Sequence, residues 1–184
     1  MTVQDLGQRA TITLGGGCFW CTEAVYVNVR GVVDVESGYT NGHSQRPSYG
    51  QVCTGETGHN EVVKIVFDPQ TISLSEILEI FFVIHDPTTR NAQGNDHGTQ
   101  YRSGIYFTAP EQQVVAQEVI AGLAQSGVYS RPVVTEVLPV HNYWPAEDYH
   151  QDYFARNPQQ GYCMAVAAPK VAKFRQTFAR LQKT

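Results

Sequence analysis

The stretch Ala10-Thr-Ile-Thr-Leu14-Gly15-Gly16-Gly17-Cys18-Phe19-Trp20-Cys21-Thr-Glu23-Ala-Val-Tyr-Val-Asn-Val29 decides the reading of this chain. Ala10 to Leu14 has the composition of a strand. Three glycines end it, and a helix opens near Cys18 and runs to about Val29. Gly31 stands where a glycine commonly stops a helix. The unit is strand, glycine turn and helix, with a cysteine at the junction.

Working outward, Val32 to Gly38 reads as a second strand, and Glu61 to Phe67 as a third, ended by Asp68-Pro69. Ser73-Leu-Ser-Glu76 has the form of a capping box. The helix it opens places Leu74, Ile77, Leu78 and Phe81 on one face. Ser103 to Thr108 is the next strand. Thr108-Ala-Pro-Glu111 then offers an N-cap at Thr108, a proline at the first helical position and a capping-box Glu111. That helix ends near Gly127. Val133 to Leu138 is a last strand, and Pro169 starts a terminal helix with Val171, Phe174, Phe178 and Leu181 inward. Through residue 108 the order is β-α-β-β-α-β, the split βαβ arrangement. The expected fold is α+β, a two-layer α/β sandwich with a ferredoxin-like core and long ordered loops, residues 1–184 forming a single catalytic domain. Residues 39–60, 86–102 and 139–163 fit no regular pattern, and polar loops of such length are usually functional.

Composition narrows the function. The 184 residues carry a net charge of -4, which argues against nucleic acid and anionic membranes as general partners. No apolar run approaches the roughly 20 residues of a membrane span. Met1-Thr-Val-Gln-Asp5 lacks the charged and apolar blocks of a secretory signal, so the expected location is cytoplasmic. Nothing in the sequence calls for more than a monomer. The cysteines, Cys18, Cys21, Cys53 and Cys163, are then read as redox, catalytic or metal-binding before structural.

A cysteine at a helix N-terminus faces free N–H groups and the positive end of the macrodipole. Such a site favours the thiolate, the nucleophilic form. A buried structural cysteine is the plainer alternative. Zinc fits poorly, because Cys18-x-x-Cys21 has no second ligand pair, so no metal is expected. A thioredoxin-like dithiol is a stronger competitor. However, Phe19 and Trp20 between the cysteines suit a pocket for an apolar ligand group better than docking of many protein disulfides.

Glu61 shares a strand face with Val63, Ile65 and Phe67, while Val62, Lys64 and Val66 lie on the other. Both faces are largely apolar, so the strand is central and Glu61 points at buried surface. Desolvation there raises a carboxyl pKa and makes a general acid. The alternative is a Glu at a strand end in water. A Cys-His-Asn hydrolase built from Cys18, His59 and Asn60 is disfavoured, because His59 and Asn60 point in opposite directions along the strand.

These motifs together resemble the A-type peptide-methionine (S)-S-oxide reductases. The resemblance rests on Gly17-Cys-Phe-Trp20 with Glu23, on Gly38-Tyr-Thr40 and on the run from Pro47 to Val63. It continues through His85-Asp-Pro-Thr-Thr89, Gln93-Gly-Asn-Asp96-His-Gly-Thr-Gln-Tyr101-Arg-Ser103 and Ala146-Glu-Asp-Tyr-His150-Gln-Asp-Tyr153. It spans about residues 10 to 180. The resemblance implies that Cys18 attacks the sulfoxide sulfur and that Glu61 gives a proton to the sulfoxide oxygen. Tyr49 and Tyr101 would hydrogen-bond that oxygen, Phe19 and Trp20 would pack on the substrate methyl group, and Asp96 would help place the substrate or serve the recycling step. It further implies a Cys18 sulfenic acid, resolved by a second thiol and recycled by thioredoxin, with no cofactor. Cys21 and Cys163 are the two candidates for that thiol. Cys163 is favoured, since a loop can swing to Cys18 whereas closing on Cys21 would distort the first helical turn. Cys53 is expected to be packed or idle.

Overall fold

The computed structural model describes residues 8–184. The reading of Met1 to Asp5 lies outside the described residues. The first unit is β1 (Ala10–Gly15), α1 (Phe19–Tyr26) and β2 (Val32–Thr40). A short helix α2 (Tyr49–Cys53) leads to β3 (Asn60–Phe67) and α3 (Leu74–Ile84). A two-stranded hairpin, β4 (Ala92–Gln93) and β5 (Asp96–His97), precedes β6 (Gly104–Phe107) and α4 (Pro110–Ser126). β7 (Glu136–Pro139), β8 (Trp144–Pro145), α5 (Tyr153–Arg156) and α6 (Ala168–Thr177) complete the chain.

The main sheet runs β7-β6-β1-β3-β2-β8. Every pairing is antiparallel except β6 with β7. β3 is central, as its two apolar faces require. Ile12 and Leu14 of β1 stand opposite Ile65 and Val63, and Tyr39 of β2 stands opposite Glu61. Directly paired residues share a face, so Leu14, Val63, Ile65, Tyr39 and Glu61 all belong to one side. On that side Ile12, Leu14, Val63 and Ile65 are fully buried with Val25 of α1 and with Ile77, Leu78 and Phe81 of α3. The sequence pattern of α3 thus translates directly into core packing.

Several boundaries move. α1 ends at Tyr26 rather than near Val29, because the Asn28 and Val29 N–H groups bond three residues back, to Val25 and Tyr26. Ala109, not Thr108, holds the N-cap position of α4. Thr108 instead bonds Gln112 Oε1 through its N–H at 2.8 Å. Gly127 does close α4, at φ 71°. The last strand is shorter than Val133 to Leu138. In the terminal segment Val171 and Phe174 are buried within α6, while Phe178 caps it and Leu181 follows in a 3-10 turn. No described helix is long and apolar enough to cross a membrane.

Candidate active site

The glycine turn is built around close approaches. Gly17 has φ 93°, a region L side chains avoid, and a Cβ there would sit 2.7 Å from Gln93 Cγ. At Gly15 a Cβ would meet Asn60 Nδ2 at 2.4 Å. The turn delivers Cys18 to the N-cap of α1 with φ -57° and ψ 126°, outside the helical region. Its carbonyl accepts the Cys21 N–H at 3.2 Å, while its side chain caps nothing. The Phe19 N–H, one of the donors a helix start leaves free, is bound by Glu61 Oε2 at 3.2 Å. A strand carboxyl therefore does the work of a helix cap and sits beside the cysteine.

Cys18 is 8% exposed. Contrary to the thiolate expected from its helix position, burial holds its pKa well above the ordinary range, helped by a hydrogen bond to Cys21 and by the Glu61 charge. The Trp20 N–H opposes this and loses. Desolvation outweighs the helix terminus because the site is closed over by side chains. Cys21 shifts the other way: the Cys18 hydrogen bond first, then the Lys170 charge, pull its pKa down against desolvation.

Glu61 is 1% exposed, so of its two readings the buried one holds and not the strand end in water. Burial, then the Asp96 and Cys21 charges, raises its pKa to about 8 against the Phe19 N–H. It is a neutral acid at pH 7. Its Oε1 makes no hydrogen bond within the protein, so one oxygen is held and the other is free.

Tyr49 begins α2, where Ser48 and Gln51 form a capping box that the sequence reading passed over. Tyr101 comes from the 3-10 turn after β5 and packs against the cluster that Cys18, Cys21 and Cys163 form with Ala167. Burial and then the Glu61 charge push both phenols above their usual range, so both are neutral donors. Phe19 is 1% exposed and belongs to the core as well as to the site. Its ring lies 6.3 Å from Tyr49 and 5.0 Å from His150. Trp20 is half-buried, stacked on Tyr153 at 3.8 Å, and its indole N–H donates to His150 Nδ1 at 2.9 Å. His150, Tyr153 and Glu147, which takes the Tyr49 N–H at 3.0 Å, are wall residues without an individual signal in the sequence.

The thiols form one cluster. Cys18, Cys21 and Cys163 pack together with Ala167. Cys163 does not sit in an open loop: it starts a π-helical turn, Cys163–Ala167, that runs into α6, and it is fully buried. Tyr162, to which the sequence assigned no role, receives a hydrogen bond from the Cys21 thiol at 3.9 Å and donates to Asp96 Oδ2. Cys53 is exposed. His59 is spent on the backbone, accepting from the Gly42 N–H and bonding the Ser44 carbonyl, while Asn60 donates to the Arg102 carbonyl. These bonds leave no Cys-His-Asn triad.

Comparison with known proteins identifies the family. A family model described as peptide methionine sulfoxide reductase matches residues 10–182. The peptide methionine sulfoxide reductase MsrA of Polynucleobacter asymbioticus is 56% identical over 181 residues, covering 98% of this chain and 95% of its own length. Reduced Mxr1 from Saccharomyces cerevisiae superposes with a TM-score of 0.78 at 36% identity, over 86% of this chain and 91% of its own. A structure of Mxr1 in complex with Trx2 superposes with a TM-score of 0.55 at 25% identity, over 81% and 87% of the two chains. The chain belongs to the peptide methionine sulfoxide reductase family.

Proposed function

We propose that this chain, acting as one catalytic domain, reduces methionine-S-sulfoxide, free and protein-bound, through Cys18, and that thioredoxin restores it. One observation carries the reading: a buried thiol at the N-cap of α1 beside a neutral carboxyl with a free oxygen, Glu61 Oε1. Cys18 attacks the sulfoxide sulfur while Glu61 protonates the oxygen, and the thiol proton of Cys18 replaces the one that Glu61 gives up. Tyr49 and Tyr101, both neutral, are suited to donate hydrogen bonds as that oxygen gains charge. Trp20 offers an apolar wall for the substrate methyl group, with Phe19 packed behind it, and Asp96 helps place the substrate. The oxygen passes to Cys18, methionine leaves reduced, and Cys18 becomes a sulfenic acid.

A second thiol then condenses with it. Cys21 and Cys163 both lie in the thiol cluster. The extended backbone of Cys18 places it outside the first helical turn, which removes the distortion argument against Cys21. We read Cys21 as the first to close, with Cys163 beside it. Support for thioredoxin comes from the relative bound to Trx2. The antiparallel order β6-β1-β3-β2 supports a ferredoxin-like reading of the core. The test offers each sulfoxide epimer with dithiothreitol. The S epimer is expected to be consumed and the R epimer left. Equal activity in Cys18→Ser, or no loss of the S epimer, rejects the assignment.

A further inference from the structure

We propose that Tyr162 and Asp96 form a proton relay that takes the thiol proton from Cys21, so that Cys21 attacks oxidised Cys18 as a thiolate. The proposal deepens the function above and rests on it. Its basis is a directed chain of hydrogen bonds. The Cys21 thiol donates to the Tyr162 oxygen at 3.9 Å, and the Tyr162 hydroxyl donates in turn to Asp96 Oδ2. Both donors point one way, from thiol to carboxylate. The three residues come from α1, from β5 and from the N-cap of the π-helical turn that Cys163 begins, so only the fold brings them into line.

The chain has the right parts for transfer without an ionised phenol. Burial and the neighbouring thiols push the Tyr162 phenol far above its ordinary range, so it does not rest as a phenolate. It passes a proton only by taking one as it gives one. The Cys21 proton moves to the Tyr162 oxygen while the Tyr162 proton moves to Asp96. The phenol ends unchanged, Asp96 is protonated, and Cys21 is a thiolate that the Lys170 charge favours. Cys21 then attacks the sulfur of the Cys18 sulfenic acid. The S–S bond forms as the Cys18 S–O bond breaks, Cys21 being oxidised and the sulfenic sulfur reduced. The departing hydroxide takes one proton, returned from Asp96, and leaves as water. The edge of Tyr162 against Trp20, with ring centroids 5.9 Å apart, keeps the hydroxyl in place.

The experiment mixes reduced wild type, Tyr162→Phe and Cys163→Ser with one equivalent of methionine-S-sulfoxide and no reductant. Methionine release, dimedone-trapped sulfenic acid and the disulfide map are followed in time. In Tyr162→Phe the first methionine should appear within about twofold of the wild-type rate. Sulfenic acid should then accumulate on Cys18, and the Cys18–Cys21 link should form at least about tenfold more slowly, as for loss of a positioned proton acceptor. In Cys163→Ser that link should form at the wild-type rate. Phenylalanine keeps the ring against Trp20, so a merely structural role for Tyr162 would slow both steps together or neither. Three results overturn the relay: disulfide formation at wild-type rate in Tyr162→Phe, equal slowing of both steps, or a first link from Cys18 to Cys163. Absence of methionine release from wild type overturns the proposed function itself and the relay with it.

Discussion

Glu61 stands under two opposed influences. The Phe19 N–H stabilises its charged form, while burial and the Asp96 charge disfavour it, and burial prevails. The consequence for stability has a definite sign. In the unfolded chain the carboxyl ionises near 4.5, but in the folded protein it keeps its proton to about 8. The native state binds more protons across that window, so its contribution to stability is full below about 4.5 and lost as pH rises through about 8. Glu23, raised by burial to about 7, acts in the same direction. Urea unfolding from pH 5 to pH 9 should show wild type losing stability and Glu61→Gln losing less; equal losses would mean that Glu61 does not carry this shift. Glu61→Ala should lower the sulfoxide turnover rate by about 100-fold or more, the lower range for a general acid, measured as methionine formed with dithiothreitol.

At the scale of elements, two helices start in contrasting ways. α3 is capped locally: the Ser73 hydroxyl takes the Glu76 N–H at 3.1 Å, and Glu76 Oε2 takes the Ser73 N–H at 3.0 Å. α1 has no such box, and the carboxyl that serves it comes from a strand 42 residues away. Ser73→Ala should therefore cost about 1 kcal/mol of folding free energy and leave sulfoxide reduction intact. A shift in the urea midpoint without a change in turnover checks this; lost activity would show that α3 acts on the site. The contrast has a reason. The local box leaves its carboxylate at the exposed surface, whereas the strand carboxyl holds α1 with one oxygen inside the buried site and keeps the other free for a ligand.

Across the whole molecule, the wall around Trp20 depends on a long-range tie. Glu23 of α1 is 2% exposed, and its Oε1 accepts the Asp152 N–H at 2.9 Å. Asp152 adopts φ 53°, unusual for a residue with a side chain. On either side of it, His150 bonds the Trp20 indole and Tyr153 stacks upon it. Losing the acceptor should release that segment. Glu23→Ala is expected to raise KM for a sulfoxide peptide and to weaken the near-ultraviolet dichroism of the aromatic wall. Glu23→Gln keeps an acceptor oxygen and should preserve both. Identical behaviour of the two variants would separate the tie from the site.

Short-range pattern was enough to mark the principal strands and helices and the chemical candidates, but not α2, β4, β5, β8 or α5, which are too short to show a period. Periodicity gave α3 its buried face, alternation placed Glu61 on the buried face of a central strand, and the glycine turn put Cys18 at a helix start. Where one residue decides a boundary, as at the ends of α1 and the start of α4, the pattern was less exact, since backbone bonds there compete on equal terms. The tertiary structure alone decided the state and company of the thiols. Burial raised Cys18 where its helix position argued for a thiolate, and desolvation depends on everything that covers a group. Likewise Cys163 proved helical and buried, and Tyr162, Asp96 and Cys21 proved to be joined. Those residues lie far apart along the chain, and spacing along a chain carries no measure of distance between loops.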